Sequence, residues 1–597
     1  MQQFAARLWP VLLAVFVPVG VWAQAPVIPH NQSKPPGPPL SPEQALAKLR
    51  VPEGFRVELV ACEPQIVNPV AMAFDERGRI WVTESLEYPR FSAGPGKDRI
   101  KILEDTDRDG KVDKVTIFAE GLNIPSGIAL GYGGVWVANA PDILFLKDTD
   151  GDDRADERHV VVTGFGRADT HELPNSLTWG PDGYLYGLNG VFNPSKIEQE
   201  GRVFEFTCAM FRIDPRTWRF ELFAEGTSNP WGIAWDPLGS AFISACVVDH
   251  LWHITESGYY HRQSGAYPPF TWKLGSIVSH THQKAAYCGL HYFDSDAYPE
   301  PYRDRLYMGN IHGNCINVDK LQRHGSTYVA TPEEDFLATD DVWFMPVAQK
   351  TGPDGCLYIL DWYDRYHCYQ DARRDPEGID RLRGRLYRVR YGEPRPAPQI
   401  DLRSESSRQL VERLGHPNLF IRETATRLLA ERQDESVRPE LARLVLEPDT
   451  PLKLRMHALW ALIGYGPLPD DFHQKLLDSP LAELRMWGVR AAGNQREVSD
   501  AIRQRIIQLA EDPSPDVQLQ VAIAARKITG IEPLPLLVRV AAHCGDDPLI
   551  PAIIWQNLHP LLPGKGEVFL REVRRYDVAQ SPALKQILPR ATERLLQ

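Results

Sequence analysis

The stretch NPVAMAFDERGRIWVTE (68–84) decides the fold. An apolar strand led by Pro runs into a tight turn containing Asp and Gly, and a second apolar strand returns from it. The phrase recurs as IPSGIALGYGGVWVAN (124–139), LPNSLTWGPDGYLYGLN (173–189), NPWGIAWDPLGSAFISA (229–245) and MPVAQKTGPDGCLYILD (345–361). A degenerate copy, YCGLHYFDSDAYPEPYRDRLYMGN, lies at 287–310. Six copies at roughly 50–60-residue spacing predict a six-bladed β-propeller over 50–392, each phrase supplying the two inner strands of one blade.

Beyond the propeller the pattern becomes helical. HPNLFIRETATRLLAE (416–431), TPLKLRMHALWALIG (450–464), SPLAELRMWGVRAAG (479–493) and SPDVQLQVAIAARKI (514–528) each place a proline before an amphipathic helix, and a weaker copy begins at Asp547-Pro548. Pro417, Pro451, Pro480, Pro515 and Pro548 lie 29–35 residues apart, which predicts an all-α, HEAT-like solenoid over 405–597. Such an array usually offers a docking surface for a protein partner. The Pro-rich, polar segment 393–404 reads as a linker, so the propeller is expected to be separable near Gly392.

At the other end, Arg7, the apolar run Leu8–Val21 and the small residue Ala23 read as a signal peptide (1–23), followed by a Pro-rich linker at 24–49. This predicts an exported chain, periplasmic or secreted, with no membrane span after cleavage. The formal net charge of −12 over 597 residues argues against a nucleic-acid binder. None of the eight cysteines falls in CxxC or CxxCH, so no zinc ribbon, thioredoxin motif or covalently attached haem is expected.

Propeller topology puts the loops after each second strand, and the crossings between blades, on one face around the channel mouth. Those second strands end in Glu84, Asn139, Asn189, Asn310 and Asp361, while the crossings bring Asn68, His171, Asn175, Asn229, His280 and His282 to the same face. His312 follows Asn310, and the long loop after Asp361 carries Tyr363, Asp364, Arg365, His367 and Arg373. Acids, amides, imidazoles and aromatics at one mouth suit a small-molecule or carbohydrate ligand.

Two acidic loops stand on the opposite face. Asp105, Asp107, Asp109 and Asp113 lie in DTDRDGKVD, and Asp148, Asp150, Asp152 and Asp156 in DTDGDDRAD. Oxygens at positions 1, 3, 5 and 9 of a tight loop suit Ca²⁺, a hard cation, and two copies in successive blades predict structural Ca²⁺ sites. The bland alternative is a solvated acidic turn.

LEDTDRDGKVDKVTIFAEGL, DTHELPNSLTWGPDGYLYGLNG, HTHQKAAYCG and TGPDGCLYILDWYD resemble the exported β-propeller proteins of planctomycetes and their relatives that carry the label membrane-bound dehydrogenase. Many of these continue through HEAT repeats into a c-type cytochrome domain, which this sequence lacks. More distantly, the propeller is similar to soluble quinoprotein glucose and aldose dehydrogenases. That resemblance implies a six-bladed propeller and pyrroloquinoline quinone as cofactor. It implies His171 as the general base that takes the hydroxyl proton of a sugar, with Asn229, Asn175, Asn189, Asp361, His282 and His312 as polar contacts to cofactor or substrate. Ser228 stands where those enzymes carry a quinone-contacting arginine. The readings left open are an exported oxidoreductase of a sugar or related alcohol, a non-catalytic carbohydrate- or protein-binding propeller with a helical docking arm, and a metal-dependent lactonase or hydrolase.

Overall fold

The computed structural model describes residues 36–90, 95–283, 286–366, 369–393 and 398–596. The leader, His367 and part of the 393–404 segment lie outside the described residues.

All six phrases form the inner strand pair of a blade, and the chain is a six-bladed β-propeller followed by an all-helical region. Blade 1 is built from Pro69–Phe74, Ile80–Glu84, Asp98–Glu104 and Lys114–Leu122. The inner turn shows why the phrase carries Asp and Gly. Asp75 Oδ1 accepts the backbone N–H groups of Arg77 (3.0 Å) and Arg79 (2.9 Å), and Gly78 takes φ +79°. Asp236 repeats the arrangement in blade 4, accepting from Leu238 (3.0 Å) and Ser240 (2.8 Å).

Ring closure is by the N-terminal strand. Phe55–Cys62 pairs antiparallel with Arg385–Tyr391 as the outermost strand of blade 6, so the first and last strands of the propeller share one sheet. The 24–49 stretch is not wholly a loose linker. Ser41 caps the short helix Pro42–Leu46, Leu40 N donates to Tyr363 Oη (3.0 Å), and Trp343 Nε1 donates to Gly37 O (2.9 Å).

Blade 4 departs from the four-stranded expectation. It holds Asn229–Trp235, Ala241–Cys246 and Leu251–Ile254 only. Its next strand, Tyr259–Arg262, pairs parallel with Phe220–Thr227 at the outer edge of blade 3. The vacated edge is taken by the crossing to blade 5: Ile277 N donates to Leu251 O (3.3 Å), and Ala330 N of blade 5 donates to Ile277 O (2.8 Å).

Packing bears on the expectation of a separable propeller. The helical region lies on the face that carries the inner turns and the acidic loops. All five proline-led helices reach the propeller. Arg427 of Leu419–Arg432 pairs with Glu76, and Lys453 of Leu452–Gly464 with Asp294 (2.7 Å). Trp487 Nε1 of Ala482–Gln495 donates to Leu238 O (2.8 Å), and Arg490 pairs with Asp182 (2.9 Å). Asp516 of Pro515–Ala524 pairs with Arg323, and Trp555 Nε1 of Ile550–Leu558 donates to Phe270 O (2.6 Å). One hydrophobic cluster contains Tyr186, Trp235, Trp252 and Tyr260 of the propeller together with Val489, Val517, Leu537 and Trp555 of the helices. Proline-led helices thus supply a shared core rather than a free arm.

Candidate functional site

The carboxylates and amides that end the second strands turn out to perform a repeated structural task. Three of them accept a backbone N–H from the chain about to enter the neighbouring inner strand. Glu84 Oε1 accepts from Val67 (2.8 Å), Asn139 Oδ1 from Asn123 (2.9 Å), and Asp361 Oδ1 from Met345 (2.8 Å). Asn189 Nδ2 instead donates to Asn193 O (3.1 Å) and Thr207 O (2.7 Å), and Asn310 Oδ1 accepts from Gly313 (2.8 Å). Asn175 Nδ2 donates to Leu173 O (2.8 Å) and Pro230 O (3.1 Å). Asn175, Asn189 and Asp361 are fully buried, and these bonds hold the crossings and loops in place. Periodicity alone could not separate a latch from a ligand contact, because both put a polar residue at the same place in every blade.

Four polar side chains of this layer keep an unused oxygen. Asn68 Oδ1, Asn189 Oδ1, Asn229 Oδ1 and Asp361 Oδ2 are buried with no hydrogen-bond partner among the described residues. Burial pushes the Asp361 carboxyl up to about 8, which keeps it protonated near neutrality. A buried unpaired acceptor is costly unless water or a ligand hydroxyl meets it.

His171 lies in the crossing to blade 3. Its Nδ1 is 2.9 Å from Asp169 Oδ1, which also accepts the His171 backbone N–H at 2.9 Å. This bond fixes the ring orientation. Against the upward pull of burial, bonds from His171 hold the Asp169 carboxyl below the usual range. Next in the chain, Glu172 is buried and accepts N–H groups of Val191 (3.0 Å) and Phe192 (2.5 Å). Burial carries its carboxyl up to about 8. Two neighbouring acids are thereby driven to opposite protonation states beside one imidazole. Tyr88 meets the His171 ring edge-on, at 6.0 Å between centroids.

Other expected contacts are distributed differently. Asn229 is partly exposed at the start of its inner strand, and His312 sits in the loop after Asn310. His282 joins a separate cluster with His250, His280 and Asp319, whose ligand atoms all lie within 4.8 Å of one another. His250 and Asp319 lie far apart in sequence and carry no motif that sequence reading could use.

On the opposite face, Asp105, Asp107 and Asp109 bring one oxygen each within 4.8 Å, as do Asp148, Asp150 and Asp156. Asp113 is instead bonded to Thr106, and Asp152 Oδ1 accepts from Arg154 N (2.8 Å). The helices close that end of the channel. Between them lies a cavity of about 220 Å³ lined by Trp179, His291, Lys350, Glu423 and His457. Burial lowers the Lys350 pKa, raises that of Glu423 and depresses His291 to about 3.

A family model described as a domain of unknown function, DUF7133, matches residues 41–393, more than half of the chain. The chain belongs to the DUF7133 family. The match begins within the docked N-terminal segment and ends with the last propeller strand, so the DUF7133 region coincides with the closed ring described above. No curated protein matches the chain. Among solved structures it is similar to a glucose dehydrogenase-type oxidoreductase of Thermus thermophilus, at 20% identity and TM-score 0.40, over 56% of this chain and 100% of that one. It is also similar to the PQQ-bound aldose sugar dehydrogenase of Streptomyces coelicolor, at 16% identity and TM-score 0.37, over 57% of this chain and 100% of that one. The apo soluble aldose sugar dehydrogenase of Escherichia coli matches at 17% identity and TM-score 0.33, over 57% of this chain and 100% of that one.

Proposed function

We propose that the propeller mouth binds a neutral, polyhydroxylated ligand, a sugar or related alcohol, and that the His171–Asp169 dyad is the base acting on one of its hydroxyl groups. The observation that carries this reading is the set of unused buried amide oxygens of Asn68, Asn189 and Asn229, at the same face as the dyad. Hydroxyl groups are donors that such oxygens can satisfy. In the proposed reaction His171 Nε2 takes the hydroxyl proton, while Asp169 holds the tautomer and stabilises the imidazolium that forms.

The resemblance read from the sequence makes oxidation the reaction class, with pyrroloquinoline quinone as hydride acceptor. The donor set does not fit that group. A tricarboxylate calls for cations and N–H donors, and the floor of this mouth presents oxygen acceptors. Ser228, in the place of the quinone-contacting arginine, is fully buried with its hydroxyl on Cys246 O. Arg381 is paired with Asp364, and Lys101 with Glu84 (2.8 Å). Ser228 favours the second reading, a carbohydrate-binding propeller without turnover.

In this proposal the chain is exported, Ca²⁺ fills the two acidic loops, and the helical region is HEAT-like. Thermal shift with a panel of sugars, run beside dye reduction with added quinone and Ca²⁺, tests the function. Sugar-dependent stabilisation that His171→Ala leaves intact, together with dye reduction that it abolishes, supports the oxidoreductase. Stabilisation without dye reduction in the parent supports the binding module. Absence of both overturns the mouth as a sugar site.

A further inference from the structure

Blades 4 and 5 meet at a cluster that the mouth chemistry does not use. His250 sits in the tight turn between two strands of blade 4, with Ala245 N bonded to its carbonyl (3.1 Å). His280 and His282 lie on the crossing that fills the vacated edge of that blade. Asp319 projects from Cys315–His324 of blade 5. The Nε2 atoms of His250 and His282 lie 3.1 and 3.2 Å from Asp319 Oδ2, and that of His280 lies 2.8 Å from Oδ1. The three rings are mutually spaced at 4.9–5.1 Å between centroids, so they surround the carboxylate rather than stack.

Two features set this apart from an ordinary hydrogen-bonded histidine group. Asp319 is fully buried, and its ion-pair partners among the described residues are these three imidazoles, with no Lys or Arg. A buried carboxylate normally requires a cation. Moreover, His250 and His282 both bond the same oxygen, Asp319 Oδ2, while His280 Nε2 and Asp319 Oδ1 lie close without hydrogen-bond geometry. A buried carboxylate that gathers three imidazole nitrogens at 2.8–3.2 Å is an arrangement that one shared cation would satisfy.

The geometry points to a metal site: we infer that His250, His280, His282 and Asp319 bind a divalent first-row transition-metal ion, such as Zn²⁺. Tetrahedral coordination at about 2.0–2.1 Å places ligand atoms about 3.3 Å apart, close to the N–O separations here. Imidazole nitrogens suit Zn²⁺ and its neighbours, whereas Ca²⁺ takes six to eight oxygens, so this centre is chemically distinct from the acidic loops. Supporting groups surround it. Tyr287 packs on the His250 ring at 5.0 Å, and Gln283, next to His282, bonds Asp335 (2.6 Å) and Asn317 (2.8 Å). Such outer contacts hold ligand side chains in place. The site pins blade 4 to blade 5 where the fourth strand of blade 4 is missing.

The inference goes beyond the sugar-site reading and is tested separately. Full-length protein is stripped of metal, dialysed with excess Ca²⁺ to occupy the acidic loops, and titrated with Co²⁺ and then Zn²⁺. About one equivalent of Co²⁺ is expected to give visible d–d absorption that Zn²⁺ displaces. His280→Ala and Asp319→Asn should weaken binding more than about ten-fold, while Asp107→Ala leaves it unchanged. If Asp319→Asn does not fold, His280→Ala, at the partly exposed side of the cluster, carries the test. A silent titration, or equal affinity in native protein and His280→Ala, overturns the proposal.

Discussion

In the proposed reading, His171 and its neighbours carry the chemistry of the mouth. A positioned base is worth about 10²–10⁴ in rate. If dye reduction is found in the parent, His171→Ala should lower kcat by that factor, and Asp169→Asn should lower it less, because the ring remains but loses its fixed tautomer. Sugar-induced thermal stabilisation should survive both changes, since the acceptors at the floor are untouched. A second residue-scale prediction concerns the seam with the helices. Burial pushes the Glu256 carboxyl up, but Arg212 and Lys527 outweigh it and hold it down at about 2. Its contribution to stability is therefore complete above an unfolded pKa of about 4.3 and lost as pH falls from there through about 2. Lys527 bonds Glu256 at 2.7 Å yet is pulled down to about 8, because burial and repulsion from Arg212 outweigh the attraction of Glu256 and Glu221. Its charge costs stability below about pH 8, and the cost is relieved as pH rises towards about 10.4. Glu256→Gln should lower the urea midpoint at pH 7 and flatten its decline between pH 4 and 2. An unchanged acid limb would sink the assignment.

The informative elements are the acidic loops and the incomplete blade. In each loop backbone N–H groups already bond the carboxylates: Gly110 N donates to Asp105 Oδ2 (2.8 Å), and Asp153 N to Asp148 Oδ2 (2.9 Å). These bonds shape the turn, and Ca²⁺ would relieve the repulsion among its carboxylates. Chelation should lower the melting temperature by several degrees, and Asp107→Ala should remove part of that response while the second loop retains the rest. A melting curve indifferent to chelator would refute Ca²⁺ at both. The blade phrase was legible because an Asp-anchored turn and apolar alternation are local. The loss of the fourth strand from blade 4 was not, because Tyr259–Arg262 has strand-like residues and only its competition for the edge of blade 3 shows where it goes.

For the whole molecule, the seam between ring and helices sets the folding unit. Trp487 is fully buried and bonded to Leu238 O across that seam. Trp487→Ala should cost about 3–5 kcal/mol, read from denaturant unfolding. A chain truncated after Gly392 would bare the apolar side chains that Val489, Val517 and Trp555 now cover, and it should aggregate or bind a hydrophobic dye. A monodisperse, native-melting fragment would show instead that the ring stands alone.

Six hairpins and five proline-led helices were written in the sequence, because strand alternation, turn chemistry and helix starts depend on neighbours a few residues away. Three matters were decided only by the tertiary structure: the packing of the helices onto the ring, the use of the polar strand ends as latches, and the gathering of His250, His280, His282 and Asp319. Each depends on which distant segments are brought within hydrogen-bonding or coordination distance. That is fixed by blade order and by competition for sheet edges, and no local pattern of residues records it.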